Sequence, residues 1–217
     1  DRLFTDLGLP RPDINLDVGS GTHAVQTADV MRRFEPALDT HRPSCVIVVG
    51  DVNSTLACTL VAVKKNVPVV HVEAGLRSYD RKMPEEINRV LTDQVADRLY
   101  ITERSAGDNL RREGVAPERI CFVGNVMIDS LLANREHAQR PADTLRAHGV
   151  DPAVLAGAGR FGVVTLHRPS NVDDAHVLGR LLEVLAEVAE RLPKVFVQHP
   201  RTRGNIERFG LGGLLDA

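Results

Sequence analysis

Short runs of β-branched residues alternate with helix-spaced segments through most of this chain, and that alternation restricts it to one fold class. Cys45-Val-Ile-Val-Val-Gly50, Pro68-Val-Val-His-Val72, Arg98-Leu-Tyr-Ile-Thr102 and Ile120-Cys-Phe-Val123 read as strands. Near-continuous apolar runs of this length suit parallel strands covered on both faces. Helices are predicted at about Ser54–Lys65, Pro84–Ala96 and Ala106–Glu113. Ahead of them Ala24, Val25, Ala28, Met31 and Leu38 space a helix that ends near Pro43. Strand–helix alternation with short connections gives a parallel sheet with right-handed crossovers. The pattern lapses from Gly124 to Gly159, a polar, helical stretch broken at Pro141, Pro152 and Ala156-Gly-Ala-Gly159. It restarts with a strand at Phe161–Leu166, a helix at about Ala175–Leu192, a strand at Lys194–Val197 and a weak final helix. The predicted fold is therefore α/β. One domain covers residues 1–140, a hinge covers 141–160, and the start of a second domain covers 161–217.

With 217 residues the chain has length for one large domain or two small ones. A formal charge of −2 gives no electrostatic reason to expect nucleic acid or an anionic membrane. No apolar stretch approaches the length of a membrane span, and Asp1-Arg-Leu-Phe-Thr5 is unlike a secretory signal. Cys45, Cys58 and Cys121 lie far apart, without metal-ligand spacing. They read as small reduced core residues, which suits a cytoplasmic protein.

Three of the apolar runs end in a polar residue: Asp51, Glu73 and His167. Ligands of open parallel sheets bind outside the carboxyl ends of the strands. Any one of these residues could be a solvated loop residue or a helix cap; three at three strand ends favour a site. After Asp51, Asn53 or Ser54 can cap the next helix, whose free amides favour an anion. After Glu73, Arg77 is placed either to pair with Glu73 or to bind a substrate phosphate. Glu85, Asn88 and Arg89 lie at i, i+3 and i+4 and share a helix face, opposite Ile87, Val90 and Leu91. The glutamates also suit the helix dipole, which alone could account for them. His167-Arg168-Pro-Ser-Asn171 and Gln198-His199-Pro-Arg201-Thr-Arg203 each follow a strand of the second half and could clamp phosphate or sugar.

Together these segments resemble the non-hydrolysing UDP-N-acetylglucosamine 2-epimerases. The resemblance is carried by Gly50-Asp-Val-Asn-Ser-Thr55, His71-Val-Glu-Ala-Gly-Leu-Arg77, Pro84-Glu-Glu-Ile-Asn-Arg89, Val123-Gly-Asn-Val-Met-Ile-Asp129, His167-Arg-Pro-Ser-Asn171 and His199-Pro-Arg-Thr-Arg203. It implies two Rossmann-like domains facing across a cleft, as in GT-B glycosyltransferases, in a cytoplasmic homodimer. It also implies interconversion of UDP-N-acetylglucosamine and UDP-N-acetylmannosamine for surface polysaccharide synthesis. UDP-N-acetylglucosamine would be both substrate and activator, with no metal or cofactor. By motif, Asp51, Glu73, Glu85 and His167 match the family's catalytic positions. Asn88, Arg89, Arg168 and Asn171 match cleft neighbours, and His199 matches a position near the activating nucleotide sugar. Asn53, Arg77 and Arg201 complete the expected substrate-binding set. The family's opening strand with its Gly-Thr-Arg-Pro-Glu loop, and its Ser-Gly-Gly and Glu-Glu segment that helps bind UDP, have no counterpart here. The fold is therefore expected to be incomplete at both ends. Cys45–Gly50 should pair only with Pro68–Val72, or have its free edge filled by another segment.

The implied reaction needs several carboxylates. The C2 hydrogen sits on the acetamido-bearing carbon, and neither neighbouring ring carbon is a carbonyl, so no enolate can form. Cleavage of the C1–oxygen bond instead gives an oxocarbenium-like centre that acidifies C2–H. Proton loss then yields a glycal and UDP. Asp51, Glu73 and Glu85 would share the acid–base work, while His167 and Arg168 would sit on the pyrophosphate. Competing expectations are a hydrolysing epimerase releasing N-acetylmannosamine and UDP, a GT-B glycosyltransferase, and a non-catalytic nucleotide-sugar-binding fragment.

Overall fold

The computed structural model describes residues 8–153 and 160–215. The chain forms two compact units, Asp1–Glu136 and His137–Ala217.

The first unit runs α1 (His23–His41), β1 (Val46–Val49), α2 (Asn53–Lys64), β2 (Val69–Val72), α3 (Pro84–Val95), β3 (Arg98–Ile101), α4 (Arg104–Arg112), β4 (Ile120–Phe122) and α5 (Val126–Asn134). Its four strands are parallel and lie in chain order, β1-β2-β3-β4. Val49 aligns with Val72, and Val72 with Tyr100, so the carboxyl ends of the first three strands finish level. Every predicted strand and helix of this half is present, with ends shifted by one or two residues, as fraying termini allow. Val48, Val61, Val69, Leu99, Ile101 and Leu110 form the buried core. Thr22 caps α1 by accepting from the Val25 amide at 3.3 Å. The Arg119 guanidinium reaches the Asp93 and Gln94 carbonyls at 3.2 Å and the Ala96 carbonyl, satisfying the C-terminal end of α3.

Several expectations need correction. The strand at Cys45–Gly50 is covered on one face only. Val48 is buried, while Ile47 and Val49 are 64% and 57% exposed. Among the described residues it pairs only with β2, the first of the two arrangements expected for its edge. Cys45 is exposed, and Cys58 and Cys121 are half-buried, so only the latter two approach a core role. Burial pushes the Cys58 thiol up to about 11. Neither Asn53 nor Ser54 caps α2. The helix begins at Asn53, and Val52 stands at the cap position without a side-chain bond.

The second unit runs α6 (Pro141–Ala147), β5 (Gly162–Val164), α7 (Pro169–Val172), α8 (Ala175–Ala189), β6 (Lys194–Phe196) and α9 (Pro200–Phe209). β5 and β6 pair in parallel, with Val163 opposite Val195. Val172, Leu178, Leu182 and Ile206 close its core. Asp174 caps α8 through the His176 and Val177 amides, both at 2.9 Å. The segment read as a hinge contains α6, and its Ala156-Gly-Ala-Gly159 break lies outside the described residues. Among the described residues no helix is long and apolar enough to cross a membrane.

Candidate active site

The turns after β1 and β2 meet the first turns of α3. The Gly50 amide donates to the Val72 carbonyl at 3.1 Å, continuing the ladder one step past the strands. Gly50 then turns with φ +70°, and a Cβ on it would lie 3.5 Å from Glu73 Oε2, so the Glu73 carboxylate rests over this turn. Glu73 itself has φ 71°. A bulky residue in this region is strained by about 1–2 kcal/mol. It is held there because its own amide and that of Ala74 both donate to the Tyr100 carbonyl, at 3.0 and 3.1 Å. Strain at a candidate catalytic residue is a functional signature that no sequence pattern discloses.

Asp51 is gripped from α3. Arg89 Nη2 donates to Asp51 Oδ2, and Arg89 Nη1 lies 3.2 Å from Glu86 Oε2. Asn88 Nδ2 donates to the Asp51 carbonyl at 2.9 Å and to Asn53 Oδ1 at 3.2 Å. The helix face predicted at i, i+3 and i+4 therefore lands on the Asp51–Asn53 turn, with half-buried Glu85 one turn ahead of Asn88 and Arg89. Asn53 also donates to Gln26 Oε1 at 2.8 Å and lies 3.1 Å from His23 Nδ1. A depression of about 540 Å³ lined by His23, Met31, Asn53, Pro84, Ile87 and Asn88 adjoins this cluster.

The two glutamates that open α3 have different surroundings. Glu86 is buried, and burial alone would raise its carboxyl. The Ser78 amide and hydroxyl at 2.9 Å, the Tyr79 amide at 3.0 Å and the Arg89 guanidinium more than offset this and hold it below the ordinary carboxylate range. Glu86 thus organises the loop between β2 and α3.

Arg77 requires correction. It neither pairs with Glu73 nor stands open to a phosphate. Its side chain is 1% exposed and bridges Asp93 Oδ2 at 2.8 Å and Glu113 Oε2 at 2.6 Å. Burial works against its charge, but Glu113 and Asp93 more than compensate and raise its pKa above the usual arginine value.

In the second unit, His167 and His199 follow the ends of β5 and β6, and their ring centroids lie 5.9 Å apart. His199 is exposed, and its Nδ1 accepts from the Arg201 amide at 3.2 Å, capping α9. Arg201 is engaged by Asp173 through Nε at 2.8 Å and Nη2 at 2.5 Å. Arg168 occupies the cap position of the short α7, which contains Asn171.

Sequence reasoning missed Glu86, His23, Gln26, His71 and Asp93 as members of this cluster. Two of them gave a signal: His71 as a polar residue inside an apolar strand, and Glu86 as an acidic residue in the first turn of α3.

The family model for UDP-N-acetylglucosamine 2-epimerase matches residues 1–212. The UDP-2,3-diacetamido-2,3-dideoxy-D-glucuronate 2-epimerase of Pseudomonas aeruginosa is 44% identical over 212 residues, covering 96% of this chain and 57% of its own length. The UDP-N-acetylglucosamine 2-epimerase of Methanocaldococcus jannaschii is 42% identical over 211 residues, with the same coverage of 96% and 57%. The crystal structure of the M. jannaschii enzyme in complex with UDP-GlcNAc and UDP aligns with TM-score 0.78 at 39% identity, covering 99% of this chain and 58% of that one. The epimerase structure from Rickettsia bellii aligns with TM-score 0.82 at 26% identity, covering 98% and 55%. The chain thus spans 57% of the length of these two curated relatives.

Proposed function

The chain belongs to the UDP-N-acetylglucosamine 2-epimerase family, and from that premise we propose that the protein carrying it inverts C2 of a UDP-linked 2-acetamido sugar, interconverting UDP-N-acetylglucosamine and UDP-N-acetylmannosamine. What supports this above all is that two strand-end carboxylates stand at adjoining turns, one of them gripped from α3. Asp51 is bound by Arg89, and Glu73 rests over Gly50 in a strained conformation. The helix that supplies Arg89 also presents Glu85.

In the proposed reaction the C1–O bond breaks with its electron pair leaving on UDP. One carboxylate takes the C2 proton, and the C1–C2 double bond of the glycal forms. A proton returned to the opposite face of C2, with UDP re-adding at C1, completes the inversion. Carboxylates near C1 also stabilise the cationic transition state. His167 and Arg168 would favour departure of the diphosphate, with Asn171 beside them. UDP-N-acetylglucosamine acting as an activator near His199, and assembly as a cytoplasmic homodimer, are further parts of the proposal taken from the family resemblance.

A second reading has its own support. The 44% identical P. aeruginosa relative is named for a diacetamido-glucuronate substrate. The C2 chemistry would be unchanged, and only the groups facing C3 and C6 would differ. Turnover of the two UDP-sugars side by side separates these readings. Release of free N-acetylmannosamine would point instead to a hydrolysing enzyme.

Asp51→Asn, Glu73→Gln and Glu85→Gln in the protein at its natural length test the assignment. Each is expected to lower kcat at least ~100-fold, the size of a lost general acid or base, while leaving UDP affinity nearly unchanged. Near-wild-type rates in all three would remove the site.

A further inference from the structure

Beneath the turns that carry Asp51 and Glu73 lies a charged cluster to which the proposed chemistry gives no task. His71 in β2 and Asp93 in the last turn of α3 are both fully buried. His71 Nδ1 is 2.6 Å from Asp93 Oδ1, and Nε2 is 2.8 Å from the Gly50 carbonyl oxygen. A carbonyl oxygen only accepts, so Nε2 carries a hydrogen. Asp93 Oδ2 accepts from the Gly75 amide at 3.0 Å and from Arg77 Nη1 at 2.8 Å. A guanidinium and an amide on one oxygen favour the carboxylate form, in which Oδ1 is an acceptor too. Nδ1 must then also carry a hydrogen. The cluster is balanced, with His71 and Arg77 against Asp93 and Glu113, and this pairing is what allows charge to remain buried.

Each of these bonds ends on a segment that bears a candidate acid or base. His71 holds the carbonyl of Gly50, the residue before Asp51. Asp93 holds the amide of Gly75, two residues after Glu73. Asp93 itself belongs to the helix that carries Glu85, Asn88 and Arg89. We propose that the His71–Asp93 pair is the positioning unit of the site. His71, hydrogenated on both ring nitrogens, fixes the Gly50–Asp51 turn, and Asp93 fixes the Glu73–Gly75 turn, both relative to α3. This role presupposes the acid–base reading of Asp51, Glu73 and Glu85.

Two conservative variants and one spectrum test it. In His71→Asn the side-chain amide can still donate to Asp93 but cannot reach the Gly50 carbonyl. It frees the Asp51 turn with limited disturbance of the core. A shift near 1 Å at a catalytic group costs up to ~100-fold, so kcat should fall at least ~10-fold with KM within ~3-fold. Asp93→Asn can retain every bond, its oxygen accepting from Gly75 and Arg77 and its amide donating to a singly hydrogenated His71. Its kcat should fall less than that of His71→Asn, because geometry rather than charge is what the pair supplies, and a fall as deep as or deeper than that of His71→Asn would overturn this. Nitrogen-15 NMR of the protein at its natural length should show two ring N–H groups on His71, falling to one in Asp93→Asn. A single ring N–H on wild-type His71, or wild-type kcat in folded His71→Asn, would overturn the proposal. The ring-hydrogen count needs no turnover, so it separates failure of the pair from failure of the epimerase reading, which a product lacking solvent hydrogen at C2 would signal.

Discussion

Replacing Glu86 by Gln distinguishes a carboxylate that builds the site from one that performs chemistry in it. Glu86 Oε2 accepts from the Ser78 amide, the Ser78 hydroxyl and Arg89, and Oε1 accepts from the Tyr79 amide. A Gln oxygen in the Oε2 position keeps three of the four bonds, but its amide then faces the Tyr79 amide, donor against donor. Bonds to a charged acceptor contribute about 1.5–3 kcal/mol and neutral ones about 0.5–1.5, and an orphaned buried donor costs about 1–3 more. Against this, the variant no longer buries a charge, which returns several kcal/mol. The expected net loss is about 2–3 kcal/mol, a urea midpoint lowered by on the order of 1 M at ordinary slopes.

The pH dependence follows from the lowered carboxyl of Glu86. A group whose folded-state value lies below its unfolded one stabilises fully above the unfolded value, and that stability is lost as pH falls through the folded value. The gap between wild type and Glu86→Gln should therefore be widest at neutral pH and narrow once pH drops below the ordinary 4.5. Glu85→Gln should change stability by less than about 1 kcal/mol, the size of a helix-dipole effect, while reducing turnover. Equal urea midpoints for wild type and Glu86→Gln at pH 7, or a gap that persists unchanged into acid, would refute this division of labour.

Gly75→Ala should destabilise by more than about 2 kcal/mol, because φ is +78° and a Cβ would meet the Ala106 carbonyl oxygen at 2.6 Å and Leu110 Cδ1 at 2.9 Å. Ordinary stability in urea would show that the loop does not pack on α4 as described. Glu73→Gly should raise stability by about 1 kcal/mol by relieving the positive φ, while abolishing epimerisation. A less stable variant would mean the conformation at Glu73 is not strained.

The alternation of β-branched runs with helical spacing located the four strands and first four helices of the first unit to within one or two residues, because that periodicity is local, whereas α5 was read only as part of a polar, helical stretch. Strand-end logic singled out Asp51 and Glu73, which the fold places at adjoining turns, and i, i+3, i+4 spacing identified the face that grips the Asp51 turn. Partners distant along the chain were not legible. Nothing around Arg77 signals that it faces Asp93 and Glu113 rather than Glu73, and nothing distinguishes Glu86 from Glu85 until the β2–α3 loop folds over it. The exposed face of β1 was misread for a related reason, since an apolar run reports what a strand suits rather than what covers it. The positive φ at Glu73 left no trace at all, because it is imposed by the Tyr100 carbonyl across the sheet.

The most direct test of the central claim is the fate of the C2 hydrogen. The protein at its natural length, supplied with UDP-N-acetylglucosamine in deuterated water, should yield UDP-N-acetylmannosamine carrying deuterium at C2, with deuterium also entering C2 of recovered substrate. Epimerised product that retains its original C2 hydrogen would contradict proton transfer by Asp51, Glu73 and Glu85.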